Sequence, residues 1–543
     1  MDRLNMLKSI TALGLSGILL FVSITVFETH ATDLSELSRL LFATESELSA
    51  DYEAIFSKDG IVDIHVEVGE EDWASILAAP MEEEYKTAKI TVDGITLENI
   101  GFRTKGNSSL KSVARSDSER YSFKININKY VKTQTLLGLD EFVVNNNFSD
   151  PSYLREYLSY EALRELGADV PLTNFANVYI NGELYGFYLM VESIEDSFLV
   201  RSFGDDGGSL YKADQGSDLK YVEGSDYNTL ELKSGKDKSK TDLKNFIKIL
   251  NEMPEGEKGD IESVLEVDSV LRYFAVNTVL GNYDSYHGNK SHNYYLYGQD
   301  GKFTILPWDY NMSIAGFGGG DLTTIPIDEP VMREDIKNFP LINNLLAVEE
   351  YKEKYHKYLE ELLDYLEDFE DRVTKLGDKI RAYVEADPTK FYTMEQFEAS
   401  ITYSETNENI TMPPQNMRTE LEGEMQRQIP PGNRPEMLQE FMDGNMPERL
   451  QGDQKGDGPE ISQEFMNGDG PEGDRKRERP EMPQGDINGD RPERPQGDMR
   501  GGGMMGTSTS IVNFIRARVE NVKKQLAGEL STIGNTSITK PKD

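Results

Sequence analysis

Between about Glu405 and Met505 the chain repeats a pattern that no packed core can use. Pro435-Glu436-Met437-Leu438-Gln439, Pro459-Glu460-Ile461-Ser462-Gln463, Pro480-Glu481-Met482-Pro483-Gln484 and Pro492-Glu493-Arg494-Pro495-Gln496 alternate with Gly-Asp steps and carry little apolar content. Burial cannot offset the ordering entropy of such a stretch, so residues 405–505 are expected to be disordered. Asp486-Ile487-Asn488-Gly489-Asp490 echoes a calcium loop but lacks the following glycine and the acidic twelfth ligand, so no calcium site is expected there. Beyond the repeats Ile511, Phe514, Ile515, Arg518, Val519 and Val522 recur at helical spacing. A C-terminal helix within 506–543 is therefore expected to dock back on the folded body, making the repeats a long surface loop inside one domain. The loop reads as a solvated spacer in preference to a tether for a partner or substrate.

With 543 residues, 37% hydrophobic and 10% aromatic, the remaining chain can bury one large or two modest cores. Lys and Arg number 57 against 96 Asp and Glu, and the net charge of −39 opposes binding to nucleic acid or anionic membranes and favours basic partners. The absence of cysteine excludes thiol nucleophiles, disulfides and thiolate-bound zinc. His65, His287, His292 and His356 show no metal-binding spacing, and GxSxG, Walker A and Rossmann signatures are missing. Arg3 and Lys8 precede the apolar run Ile10 to Phe27 and then Thr29-His30-Ala31. Residues 1–31 read as an export signal cleaved after Ala31, or as a retained anchor that would be the one membrane contact. The body is expected to work outside the cytoplasm.

An acidic amphipathic helix is expected from Leu34 to Ala54, a strand in Gly60 to Val68, and a helical turn from Asp72-Trp73. Strands at Ala88–Val92, Ile95–Thr104 and Tyr121–Ile127, with turns at Asp93-Gly94 and Gly106-Asn107, predict an antiparallel sheet. A helix over Tyr153–Leu166 has Asp150 as its cap, Pro151 at its first position and Gly167 past its end. Strands Asn174–Ile180 and Glu183–Val191 meet at the hairpin signal Asn181-Gly182. Helices follow at Thr241–Asn251, Ile261–Leu280 and Tyr351–Glu385, with strands Tyr294–Tyr297 and Phe303–Leu306 between the second and third. The expected fold class is α+β, one domain over 32–404, with a β-rich lobe at about 60–195 and a helical lobe at about 196–404. That is the bilobal order of protein kinases.

The polar stretch Asn282-Tyr283-Asp284-Ser285-Tyr286-His287-Gly288-Asn289, followed after a short strand by Pro307-Trp308-Asp309, supplies parts that phosphoryl transfer needs. One carboxylate can orient and deprotonate an attacking hydroxyl, while an amide oxygen and a second carboxylate can hold Mg²⁺ on phosphates. Asn, Asp and Gly are also ordinary turn residues, so spacing alone leaves a plain loop open.

Further motifs decide between these. Gly106-Asn107-Ser108-Ser109, Ser122-Phe123-Lys124-Ile125, Asn145-Asn146-Asn147, Leu154-Arg155-Glu156, Tyr179-Ile180-Asn181-Gly182 with Tyr185-Gly186-Phe187-Tyr188 and Glu192, Leu210-Tyr211-Lys212, and Asn293-Tyr294-Tyr295-Leu296-Tyr297 occur in order before Pro307-Trp308-Asp309. Over residues 60 to 400, with a return at Thr507–Leu530, the chain strongly resembles the CotH family of spore-coat kinases. The resemblance implies an atypical kinase-like fold that uses ATP and Mg²⁺ or Mn²⁺ to phosphorylate Ser or Thr of secreted, surface or coat proteins.

On that resemblance Asp284 is the catalytic aspartate and Asp309 the metal-binding one. Asn289, at the offset of the ordinary kinase loop, or Asn293 completes the metal site. Lys124 is expected to reach the nucleotide phosphates, with Glu156 as its ion-pair partner, although the neighbouring Glu161 leaves that choice open. Gly106, Asn107, Ser108 and Ser109 replace a glycine-rich loop. Glu192 is a candidate for adenine or ribose contact or for a structural role, and Lys212 for a further phosphate contact. Charge suggests basic, Ser-rich protein substrates at the cell surface or spore coat. The rival reading is a non-catalytic surface, coat or adhesion scaffold with the same fold.

Overall fold

Strict alternation in Val62-Asp63-Ile64-His65-Val66-Glu67-Val68 places Val62, Ile64, Val66 and Val68 on one buried face. That face is the inside of a closed barrel. The computed structural model describes residues 51–57, 59–318, 321–332, 334–406, 410–411 and 507–534. These belong to one compact unit spanning 1–415 and 502–543; a second unit, 416–501, lies outside the described residues.

The barrel strands are β1 (Val62–Val68), β2 (Lys86–Val92), β3 (Ile95–Lys105), β4 (Ser122–Asn126), β5 (Glu141–Asn145), β6 (Thr173–Ile180) and β7 (Glu183–Glu192), in the order β1-β2-β3-β4-β5-β7-β6. The antiparallel sheet expected from sequence becomes a barrel because β6 also pairs in parallel with β1, Ile64 opposite Val178. A parallel pair needs a long crossover, and closure removes sheet edges. Ile90, Phe102, Phe123, Ile125, Val144, Val178 and Met190 fill the interior. The outward residues Val143, Phe175, Phe187, Leu189 and Val191 belong to a second core with Leu158 and Leu163 of the helix Arg155–Glu165 and with Leu154 just before it. Burial on both faces explains why β5 to β7 read as nearly continuous apolar runs.

The second part is built on the helix Val267–Leu280, most of whose residues are buried. It packs with the helix Glu349–Tyr365 and with a four-stranded sheet of β8 (Ser209–Ala213), β9 (Leu230–Ser234), β10 (Tyr294–Gln299) and β11 (Lys302–Pro307), ordered β11-β10-β8-β9. A fully buried Arg120–Asp387 ion pair of 2.7 Å ties the barrel to the segment after the helix Phe369–Ala386. Arg120 also donates to the carbonyls of Asn146 and Phe187.

Three expected elements change. The helix predicted from Tyr153 starts at Arg155, because Tyr153 adopts φ +60°. Asp150 still caps it, accepting from the Arg155 N–H at 2.8 Å and pairing with the Arg155 guanidinium at 2.8 Å, while Pro151 lies in the preceding turn. The predicted helix Ile261–Leu280 begins at Val267, since Leu265 is drawn into a bridge with Phe303. The predicted helix Tyr351–Glu385 breaks at Leu366–Asp368, where Arg372 donates to the carbonyl of Tyr365 and satisfies the end of the first segment.

The C-terminal helix Ile511–Leu526 is capped by Ser510 Oγ and packs against Val267–Leu280. Strand β12 (Ile410–Thr411) pairs with β13 (Thr507–Ser508), so the chain leaves and rejoins the body at one place. The repeats beyond Thr411, the apolar run at Ile10 to Phe27 and the amphipathic stretch up to residue 50 lie outside the described residues. Among the described residues no helix is long and apolar enough to cross a membrane.

Candidate active site

Helix Val267–Leu280 ends on Gly281 in the left-handed conformation, and the next residues form a tight loop that carries Asp284. Within that loop a Cβ on Gly288 would stand 1.7 Å from the carbonyl oxygen of Tyr283, so only glycine fits. The loop holds the Asp284 side chain nearly buried. Its Oδ1 lies 2.9 Å from His292 Nε2 and 3.4 Å from Lys290 Nζ, while Asn293 Nδ2 donates to Oδ2 at 3.2 Å and to the Asp284 carbonyl at 2.8 Å. Burial pushes the carboxylic acid up, but His292 and Lys290 outweigh it and hold the group below the usual carboxylate range.

Asn293 immediately precedes β10, and Tyr294 pairs with Pro307 at the end of β11. The register therefore brings Asn293 and the Trp308-Asp309 step to the same end of the hairpin. Asp309 takes φ +59°, and its N–H donates to the hydroxyl of Tyr160 on the helix Arg155–Glu165. Asn289, the alternative metal ligand, is exposed and lines a cavity of about 430 Å³ with Asp218, Lys220 and Lys290. Asn293 bonds both the side chain and the carbonyl of Asp284.

The expected Lys124–Glu156 pair is absent. Lys124 lies 2.6 Å from the buried carboxylate of Glu141, which is two strand positions from its direct partner Val143 on β5. Glu156 instead accepts from Asn145 at 2.8 Å and from the backbone of Tyr310, and it faces Asp309 and Lys105. Burial and the nearby Asp309 push its carboxyl up to about 7. Lys105, at the end of β3, is held by Asn145 Oδ1 at 3.0 Å and lies over the Trp308 ring. Sequence reasoning passed it over, although it directly precedes the glycine of the Gly106-Asn107-Ser108-Ser109 motif.

That motif is a strand-to-helix junction and not a plain turn. Gly106 has φ +128°, Asn107 accepts from Lys111, and Ser108 opens a short helix, Ser108–Ala114. Lys212, on β8 opposite Tyr295, has no ion pair or side-chain hydrogen bond among the described residues. Burial first, and then repulsion from Lys105, Lys233 and Lys124, push its ammonium down. A lysine cluster in a chain of net charge −39 is an electrostatic anomaly that a polyphosphate would relieve.

Glu192 faces no cleft. It is fully buried, pairs with Arg201 at 2.7 Å, and accepts from Tyr52 at 2.5 Å and from the Leu172 N–H at 2.9 Å. These donors occupy both oxygens of its carboxylate.

Comparison with known proteins accords with this geometry. The model of the family described as CotH kinase protein matches residues 102–411, more than half of the chain. The chain belongs to the CotH kinase family. It is 29% identical over 296 residues to inner spore coat protein H of Bacillus subtilis, covering 52% of this chain and 78% of that protein. It is 22% identical over 256 residues to invasin CotH2 of Rhizopus delemar, covering 43% of this chain and 42% of the invasin. Both acidic loops of this CotH family member fall inside the matched region, whereas the C-terminal helix lies beyond it.

Proposed function

We propose that this protein is an exported, atypical protein kinase that transfers the γ-phosphoryl group of ATP to Ser or Thr hydroxyls of surface or coat proteins. The observation that carries the reading is an ionised, oriented Asp284 held by Asn293, at the hairpin end where β11 leads into Asp309. Asp284 orients the acceptor hydroxyl and takes its proton as the oxygen–phosphorus bond forms and the bond to the leaving ADP breaks. Lys105 and Lys212 neutralise phosphate oxygens, with Lys124 held in reserve by Glu141. Ser108 and Ser109, following Gly106 and Asn107, add hydroxyl and backbone donors near Lys105.

The residues also fit a divalent ion. Among the described residues no three histidine or carboxylate side chains are placed to hold a metal ion by themselves. Mg²⁺, however, binds through one or two carboxylates plus phosphates and waters, and oxygen donors are what Asp309 and Asn293 offer. The upward shift of Glu156 beside Asp309 marks a place where added positive charge is favourable. Bound there, Mg²⁺ or Mn²⁺ would neutralise charge on the phosphates. In this arrangement Glu156 positions Lys105 and Asp309 between the barrel and the second part, completing a bilobal, kinase-like plan.

The excess of acidic residues favours basic, Ser-rich substrates. The names of the two relatives, a spore coat protein and an invasin, support work at a coat or cell surface. Phosphate incorporation from labelled ATP into a basic Ser-rich protein tests the proposal, with Asp284→Asn and Asp309→Asn alongside. Loss in both variants supports it; incorporation by either variant at the wild-type rate overturns the assignment. No incorporation and no ATP-dependent thermal shift in the wild type would leave a binding scaffold.

A further inference from the structure

One side chain of the C-terminal helix joins the end of the helix that delivers Asp284 to the segment carrying Thr323 and Ile325. Arg518 is fully buried. Its Nε and Nη2 donate to the carbonyl of Thr278 at 3.3 and 3.2 Å, in the last turn of the helix that delivers Asp284. Its Nη1 donates to the carbonyls of Thr323 and Ile325 at 2.9 and 2.6 Å, on the segment that follows Asp309. No carboxylate lies within ion-pair distance of Arg518 among the described residues. A buried cation with no carboxylate in contact is costly, and burial pushes this guanidinium down from its usual range, the more distant Asp321 offsetting part of that shift. What compensates it is a set of backbone carbonyls, including one at a helix C-terminus, where positive charge is favourable.

A second contact reinforces the first. A Cβ on Gly281 would stand 2.7 Å from Phe514 Cζ, so the Phe514 ring rests directly on the glycine that turns the chain into the Asp284 loop. Both side chains belong to residues 511–526, beyond the family match and across the repeats from the rest of the fold.

We infer that Arg518 and Phe514 are positioning residues: the C-terminal helix fixes the end of the helix Val267–Leu280 from which the Asp284 loop springs, and catalysis depends on it. This rests on the phosphoryl-transfer reading. An interaction that only held the fold together would lower activity in step with the unfolded fraction. A positioning interaction lowers kcat in protein that remains folded, because small displacements of reacting groups are costly.

The experiment uses the full chain with Arg518→Ala, Arg518→Lys and, as a control, Gln525→Ala. Gln525 also binds the Ile325 carbonyl and the Ile327 N–H but does not touch Thr278. The expected result is a fall in kcat of about tenfold or more for Arg518→Ala, with KM for ATP within about twofold of wild type. Millimolar guanidinium ion is expected to restore part of that kcat, and Gln525→Ala to show no such loss. Arg518→Ala with wild-type kcat, or a loss that follows the melting curve and resists guanidinium, would overturn the inference. Hydrogen exchange at residues 282–293 reads the same proposal without activity. Faster exchange there in folded Arg518→Ala supports positioning even if no substrate is phosphorylated, and unchanged exchange rejects it whatever the enzyme does.

Discussion

Glu192 and Glu156 are both buried, on adjoining elements, yet their surroundings differ in kind. Around Glu192 every neighbour is a donor: Tyr52, the Leu172 N–H and a bidentate Arg201. Around Glu156 one neighbour is another carboxylate, Asp309, and Lys105 is shared with Asn145. The first region is satisfied as it stands. In the second, burial and a like charge keep the carboxyl raised despite its partners, an environment that on the proposed reading added positive charge would relieve.

The sharpest test of this contrast removes the base beside the second region. Asp284→Asn is expected to lower kcat by about 10³-fold, within the range of general base catalysis, while ATP-dependent thermal stabilisation persists. Glu192→Gln should do the reverse. Leaving Arg201 buried without its partner is expected to cost about 3 kcal/mol in denaturant unfolding, while KM for ATP in the folded protein stays unchanged. Equal effects of both substitutions on stability and on activity would erase the distinction.

Within the lysine cluster, Lys105→Met is expected to raise KM for ATP about tenfold, and Lys124→Met by less. The ammonium of Lys124 is already matched by Glu141, whereas Lys105 faces Asn145, Glu156 and the Asp309 segment. A larger effect at Lys124 would return the phosphate role to the residue favoured by sequence.

The pH dependence follows from the raised pKa of Glu156. The folded protein holds this proton more tightly than the unfolded chain. Its stabilising contribution is therefore fully present below the ordinary value near 4.5 and is lost as pH rises through about 7. Glu195 and Asp140, pushed up to about 7 and about 6 mainly by burial, act with the same sign. Without nucleotide, stability should fall by up to about 1.4 kcal/mol per pH unit for each such group across that window. Glu156→Gln should remove its share, as should saturating Mg²⁺ and ATP. An unchanged pH profile in Glu156→Gln would reject the Glu156–Asp309 coupling.

The smallest effect is expected where the fold is least engaged. Because Thr411 pairs directly with Thr507, replacing residues 412–506 with a short turn should change stability by less than about 1 kcal/mol and leave kcat unaltered. A large loss would give the repeats a role beyond that of a spacer.

Part of the barrel was legible because β1 carries its own alternation and the β6–β7 hairpin its own turn signal. Val62 to Val68 and the Asn181-Gly182 hairpin announce themselves locally, and Thr241–Asn251 appears with the bounds its pattern predicts. Asp284 and Asp309 were legible as loop carboxylates, and the heptad-like run from Ile511 as a helix. The Lys124–Glu156 pair was not found, because pairing is settled by which residues of β3, β4 and β5 face the Arg155–Glu165 helix, a relation spread over some fifty positions of sequence. Lys105, His292 and Arg518 acquire meaning in the same way, through neighbours that only folding supplies.

By itself, then, the sequence determined what short-range physics can encode: the strand and helix periods, the export-like leader pattern, the polar repeats, and the loops that carry the candidate acidic and amide residues. Tertiary structure decided barrel closure through the β1–β6 pair, the bonds of Asn293 to Asp284, and the different neighbours of Glu192 and Glu156. Those outcomes depend on burial and on distances between residues far apart in the chain, and electrostatic energy is set by those distances and not by sequence spacing.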